Sequence, residues 1–233
     1  MTAPEGSGTD AHDAFDPARA LALAADQQRD VAARTGGFVP LVLVAWGLAW
    51  LLGFAALWLV EGLAPAFALP MAVAAPVLVV LFVAAGILST TLATRAGRGV
   101  RGGKEAAFAG IVYGQGWWIG TIAVYVLGLG LVHNGMDPDL LTIFFPSAFV
   151  FFAGIMYLMA GALWHALPML WLGVWAIVVG CAAPFAGAPA HFLVYALAGG
   201  GGFLLAGGVS AWWIARTRRR FRATTGAGER SVP

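Results

Sequence analysis

Six long apolar runs leave this chain few folds to choose from. They span Phe38–Val60, Leu69–Ala93, Phe108–Val132, Leu140–Trp164, Leu167–Pro184 and Phe192–Ala215, and none contains Asp, Glu, Lys or Arg. Crossing the hydrocarbon core of a bilayer takes about 20 apolar residues as a helix. Inside lipid a helix satisfies its own backbone hydrogen bonds, so an isolated apolar run of this length folds as one. The expected fold is all-α: a polytopic membrane protein with six transmembrane helices.

The basic residues orient the bundle. Arg19, Arg29 and Arg34 precede the first run, and Arg95, Arg98, Arg101 and Lys104 lie between the second and third. Arg216, Arg218, Arg219, Arg220, Arg222 and Arg230 follow the sixth, which completes the inventory of 13. The first, third, fourth and fifth connections hold none. Cytoplasmic loops collect Lys and Arg, so both termini and the second connection are expected in the cytoplasm of a bacterial inner membrane. Three segments follow: 1–37 as a cytoplasmic N-terminal segment, 38–215 as the bundle, and 216–233 as a basic tail. In the first, Asp16-Pro17 opens a short amphipathic helix from Ala18 to about Ala33, with Asp as cap and Pro in the first turn. The first apolar run is too long for a signal-peptide core and reads as an uncleaved targeting signal.

Composition excludes several functions. Charged residues make up 10% of the 233-residue chain, against about 25% in soluble domains. The segments outside the runs are too short for a nucleotide-driven motor. A net charge of +2 does not imply nucleic-acid binding. The one dense cluster, Arg216-Thr-Arg-Arg-Arg-Phe-Arg222, borders the last span, where anionic headgroups explain it. Arg216, Arg218, Arg219, Arg220 and Arg222 are therefore membrane-surface residues, and the bilayer itself is the first partner. The single cysteine, Cys181, has no thiol to pair with. The sequence carries no Gly-x-Ser-x-Gly, His-Glu-x-x-His or phosphate-binding glycine loop, so neither catalytic residues nor an enzyme is expected. Its only lysine, Lys104, lies in a loop, and its four histidines lie at or beyond span edges, so no retinal or haem site is expected and no cofactor is implied.

Three places could carry function. Gly199, Gly200, Gly201 and Gly202 lie in mid-span, and each glycine costs a helix about 1 kcal/mol relative to Ala. Such a run either breaks the helix, freeing backbone groups to line a path, or lets neighbouring helices approach closely. In the third run Gln115, Thr121 and Tyr125 form a polar stripe near Trp118, suited to lining a path or to bonding a neighbouring helix. At the outer end Glu61, His133, Asp137, Asp139 and His191 are competent metal ligands, but their spacing matches no ligand motif and no metal is expected. Asp137 reads better as a helix cap with Asp139 in the first turn. No Asp, Glu, His or Lys lies at mid-membrane, where coupled pumps keep one.

Met156-Tyr157-Leu-Met-Ala-Gly161-Ala-Leu-Trp164, Leu172-Gly173-Val-Trp175, Pro189-Ala-His191 and Gly199-Gly-Gly-Gly202-Phe203 resemble a family of six-span membrane proteins from high-GC bacteria. Trp46-Gly-Leu-Ala-Trp50-Leu-Leu-Gly53 is similar as well, and the resemblance runs from Ala18 to about Trp213. That family is largely uncharacterised, and some of its members carry a transporter label. The resemblance implies the six-span fold and brings no catalytic or binding residue with it. The expected function is passive or accessory small-molecule transport along Gln115, Thr121, Tyr125 and Gly199–Gly202. The alternative is a non-enzymatic membrane sensor or partner-binding subunit that signals through its N-terminal helix and basic tail.

Overall fold

A computed structural model describes residues 37–96 and 103–228, with the backbone alone for residues 96 and 217–228. The expected N-terminal helix of the 1–37 segment lies outside the described residues. All regular structure described is helical, apart from one isolated bridge between Leu63 and Phe67. Six helical segments are long and apolar enough to cross a membrane.

Helix α1, Val39–Trp58, starts with Pro40 in its first turn, where a missing N–H costs nothing. Helix α2, Met71–Ala96, carries Pro76 in its interior. Helix α3, Lys104–His133, begins four residues before the apolar run, with Glu105 in its first turn. A short 3-10 turn, Pro138–Leu140, leads into α4, Leu141–Leu163. Asp137 caps that turn as expected, its Oδ1 accepting from the Asp139 N–H at 2.9 Å. Helix α5, Leu167–Ala182, continues as a 3-10 turn to Ala186. The sixth span has three parts: α6, Ala190–Val194, a π-helical turn over Tyr195–Gly200, and α7, Gly201–Gly228. Helix α7 runs past the expected boundary at residue 216, carrying the arginine cluster on a continuing helix. Its Arg216 guanidinium lies 5.1 Å from the Trp212 ring centre. The side chains of Arg218, Arg219, Arg220 and Arg222 lie outside the described residues.

Two seams bring backbones together. Between α4 and α5, a Cβ placed on Gly154 would lie 2.9 Å from the Gly173 carbonyl oxygen, and one on Gly173 would lie 2.8 Å from that of Gly154. Gly161 and Gly180 repeat this approach seven residues further along each helix, against Leu170 N and Phe151 N. The chain turns between these helices within Trp164–Ala166, where His165 takes a left-handed φ of 52°. So short a link makes neighbours of the two helices, as the sequence implies. The second seam joins α1 to the sixth span. A Cβ on Gly200 would lie 2.7 Å from Leu51 N, and one on Gly47 would lie 2.9 Å from Leu204 N.

These contacts also place the ends. Trp46, early in α1, bonds Ser89, late in α2. Gly207, late in the sixth span, faces Pro40 at the start of α1. Tyr113, early in α3, meets Trp164 at the end of α4, with ring centres 4.9 Å apart. Arg95, Lys104 and Arg216 therefore share one end of the bundle, called here the basic end. Glu61, Asp137 and Asp139 lie at the other.

Candidate functional site: an aromatic chamber between α2 and α3

Helix α2 packs along α1 and α3 along α4, whereas α2 and α3 scarcely approach each other. The space between the two pairs is a chamber of about 720 Å³. That is within the roughly 300–1,000 Å³ typical of small-molecule sites. Its lining runs along α1 from Val42 to Leu57, about 22 Å at 1.5 Å per residue.

Each wall is an aromatic stripe of helical period. On one side Trp46, Trp50 and Phe54 recur every fourth residue of α1 and surround Phe82 of α2, with ring centres 5.5, 6.2 and 6.0 Å away. On the other, Tyr113, Trp117 and Thr121 recur every fourth residue of α3. The Trp117 ring lies 5.6 Å from Phe152 and 6.0 Å from Tyr157 of α4. Phe203 of α7 joins the walls, 5.3 Å from Trp50 and 6.0 Å from Tyr157. A period of four places these side chains on one helix face, and edge-to-face ring packing then holds the face rigid.

Polar groups in the lining are few and unevenly placed. Toward the basic end lie Ser89, Tyr113 and Tyr157; Thr121 lies near mid-depth. The Trp46 Nε1–H donates to Ser89 Oγ at 2.9 Å, and Ser89 donates to the Ala85 carbonyl at 2.7 Å. Neither the Thr121 nor the Tyr157 hydroxyl bonds another described residue. Toward the opposite end the lining is hydrocarbon and ring alone, from Phe54, Leu57, Phe145, Pro146 and Phe149. No lining residue is charged.

Of the expected path residues, only Thr121 lines this chamber. Gln115 is exposed on α3 and lies outside the lining. Tyr125 is 53% exposed and stacks on Phe145, with ring centres 5.6 Å apart. Of the expected stripe of Gln115, Thr121 and Tyr125, only Thr121 thus faces the chamber, and the others, with Trp118, are turned from it by part of a helical turn. Of the two readings of Gly199, Gly200, Gly201 and Gly202, a broken helix is not what forms, because the chain stays helical throughout, π then α. Gly199 lies against Trp50, Gly200 against Gly47 and Leu51, and Gly202 against Trp175, while Gly201 faces open space. The run serves close approach, and none of its residues lines the chamber. A π turn displaces a backbone carbonyl from the regular ladder. Here the Trp175 indole N–H donates to the Ala198 carbonyl at 3.0 Å.

The end opposite the basic one holds a polar clasp that sequence reasoning missed. His191 lies at the edge of the sixth span, as expected, and is fully buried there. Its Nδ1 lies 3.1 Å from the Gly187 carbonyl oxygen and its Nε2 3.0 Å from that of Thr142. One turn deeper, the Tyr195 and Ser147 hydroxyls are 2.8 Å apart. These pairs tie the sixth span to α4. Among the described residues, no group of three or more His, Cys, Asp or Glu side chains converges on a metal-sized site.

Two signals in the sequence pointed to the chamber: the fourfold spacing Trp46, Trp50, Phe54 and its counterpart Tyr113, Trp117, Thr121. Neither reveals that the two stripes face one another. Comparison with protein-family models, curated proteins and solved structures finds no match. The chamber is therefore read from its own chemistry.

Proposed function

We propose that this chain is a non-enzymatic protein of the bacterial inner membrane that takes a small lipophilic molecule into the chamber between α2 and α3, in passive or accessory transport. One observation carries the reading. An uncharged, aromatic chamber runs about 22 Å through the bundle, beside two helices that scarcely approach each other. A lipophile dissolved in the bilayer can pass between α2 and α3 without crossing water. The spans carry no Asp, Glu, His or Lys at mid-depth to bind a coupling ion, which favours passive movement over pumping.

Narrowing the chamber tests this directly. Ala153→Trp places an indole in the lining from α4. Native mass spectrometry of the wild-type protein with 1-hexadecylpyrene should show saturable 1:1 binding, and Ala153→Trp should lose it. Equal retention by both proteins would sink the reading.

The basic end is taken as cytoplasmic. Alkaline-phosphatase fusions at Ala64, Met136 and Gly187 should be active, and fusions at Gly99 and the C-terminus inactive. An active C-terminal fusion overturns the orientation. The sensor alternative draws on the expected N-terminal helix and on the side chains of Arg218, Arg219, Arg220 and Arg222, which lie outside the described residues.

A further inference from the structure

We infer that the chamber selects an uncharged, single-chain amphiphile, held with its hydrogen-bonding head toward the basic end and its chain toward the other. The inference rests on the reading above and names the ligand class. It follows from how polarity is distributed along the lining.

The lining of the chamber extends about 22 Å along α1. One extended chain spans that length, so a single chain suits the chamber. Its half toward Leu57 and Phe145 offers nothing to hydrogen-bond, so that half suits hydrocarbon.

The other half is different. From Tyr113 to Thr121 on α3 is about 12 Å, and the lining hydroxyls fall along that stretch. Ser89 is already committed to Trp46 and Ala85. The Thr121 and Tyr157 hydroxyls bond no described residue, so each can donate to or accept from a ligand head. No lysine, arginine, histidine or carboxylate lines the chamber to neutralise a charged head. An ion there would be desolvated without a partner, whereas a neutral hydroxyl or carbonyl would be satisfied. The orientation also matches the route. A lipid of the leaflet at the basic end carries its head on that side and its chain toward mid-membrane, so it can slide between α2 and α3 without inverting.

The test uses the full chain in detergent and four C18 probes: octadecan-1-ol, octadecane, octadecanoate and octadecylammonium. Native mass spectrometry gives the bound fraction of each, for wild type, for Thr121→Val/Tyr157→Phe, and for Ala153→Trp. Because neither hydroxyl bonds another described residue, the double variant should fold as wild type does, and its unchanged melting temperature checks this. In wild type, octadecan-1-ol should bind at least tenfold more tightly than either ion. It should also bind about 5- to 10-fold more tightly than octadecane, and the double variant should remove most of that margin. Ala153→Trp should abolish retention of the alcohol.

Equal binding of alcohol and alkane, with no effect of the double variant, overturns the head-group assignment and leaves lipophile binding standing. Tighter binding of either ion overturns it too. Failure to retain any probe, or retention undisturbed by Ala153→Trp, overturns the chamber as a binding site and the inference with it.

Discussion

Helices α3 and α5 are both apolar spans flanking α4, yet they are held to it in opposite ways. Helix α5 meets α4 backbone to backbone, through four glycines that leave no room for a Cβ. Helix α3 meets α4 only through side chains: Gly120 lies against the Phe152 ring and Gly128 against Phe145. Gly128 is the one buried residue of α3, and Gly110, Gly114 and Gly130 face open space. In lipid, burying hydrocarbon in protein gains little over leaving it in acyl chains, so close van der Waals packing decides which helices hold. The α4–α5 seam is therefore the frame. Helix α3 is a wall held by side chains alone, and the chamber lies where it and α2 leave a gap.

The sharpest way to break this contrast is one bulky residue in each region. Gly173→Leu drives a side chain into the backbone of α4 and should cost about 3 kcal/mol or prevent folding. Gly114→Leu adds the same atoms where nothing lies within 4 Å and should change stability by less than about 0.5 kcal/mol. Thermal unfolding in detergent measures both. Comparable losses would show that α3 is as tightly packed as α5.

Next in size is His191→Ala at the polar clasp. It removes a fully buried ring and strips a partner from the Thr142 carbonyl, at a cost of about 2 kcal/mol in the same assay. A smaller loss, about 1 kcal/mol, is expected for Trp175→Phe, which removes the donor to Ala198 and keeps most of the ring. The smallest effect should come from the pair Ser147→Ala and Tyr195→Phe. A double-mutant cycle there should give a coupling near 0.6 kcal/mol, the usual size for a hydrogen bond between membrane helices. A coupling of zero would mean that the sixth span is tied to α4 by His191 alone.

Part of the site was legible in advance. Thr121, a polar residue within the third apolar run, lines the chamber. Gln115 and Tyr125 are equally polar residues of that run, but helical phase places them off the lining. The glycine run was ambiguous for a physical reason: a missing side chain weakens a helix and permits close packing with the same residue. Only a neighbour decides between the two, and here Trp50, Leu51 and Trp175 supply it. His191 gave no local signal, because its partner, the Thr142 carbonyl, lies 49 residues away in the chain.

The six spans, their approximate ends, the Asp137 cap and the adjacency of α4 and α5 were all present in the sequence. Each depends on interactions local in the chain: a helix closes its own hydrogen bonds, a cap reaches two residues ahead, and a link of three residues cannot separate two helices. The chamber is set at another level. Any of the six apolar helices can bury its surface equally well in lipid or in protein, so the apolar pattern is silent about which faces meet. That choice was made in three dimensions, where glycines brought α5 to α4 and the sixth span to α1, and left the aromatic faces of α1 and α3 turned toward one another.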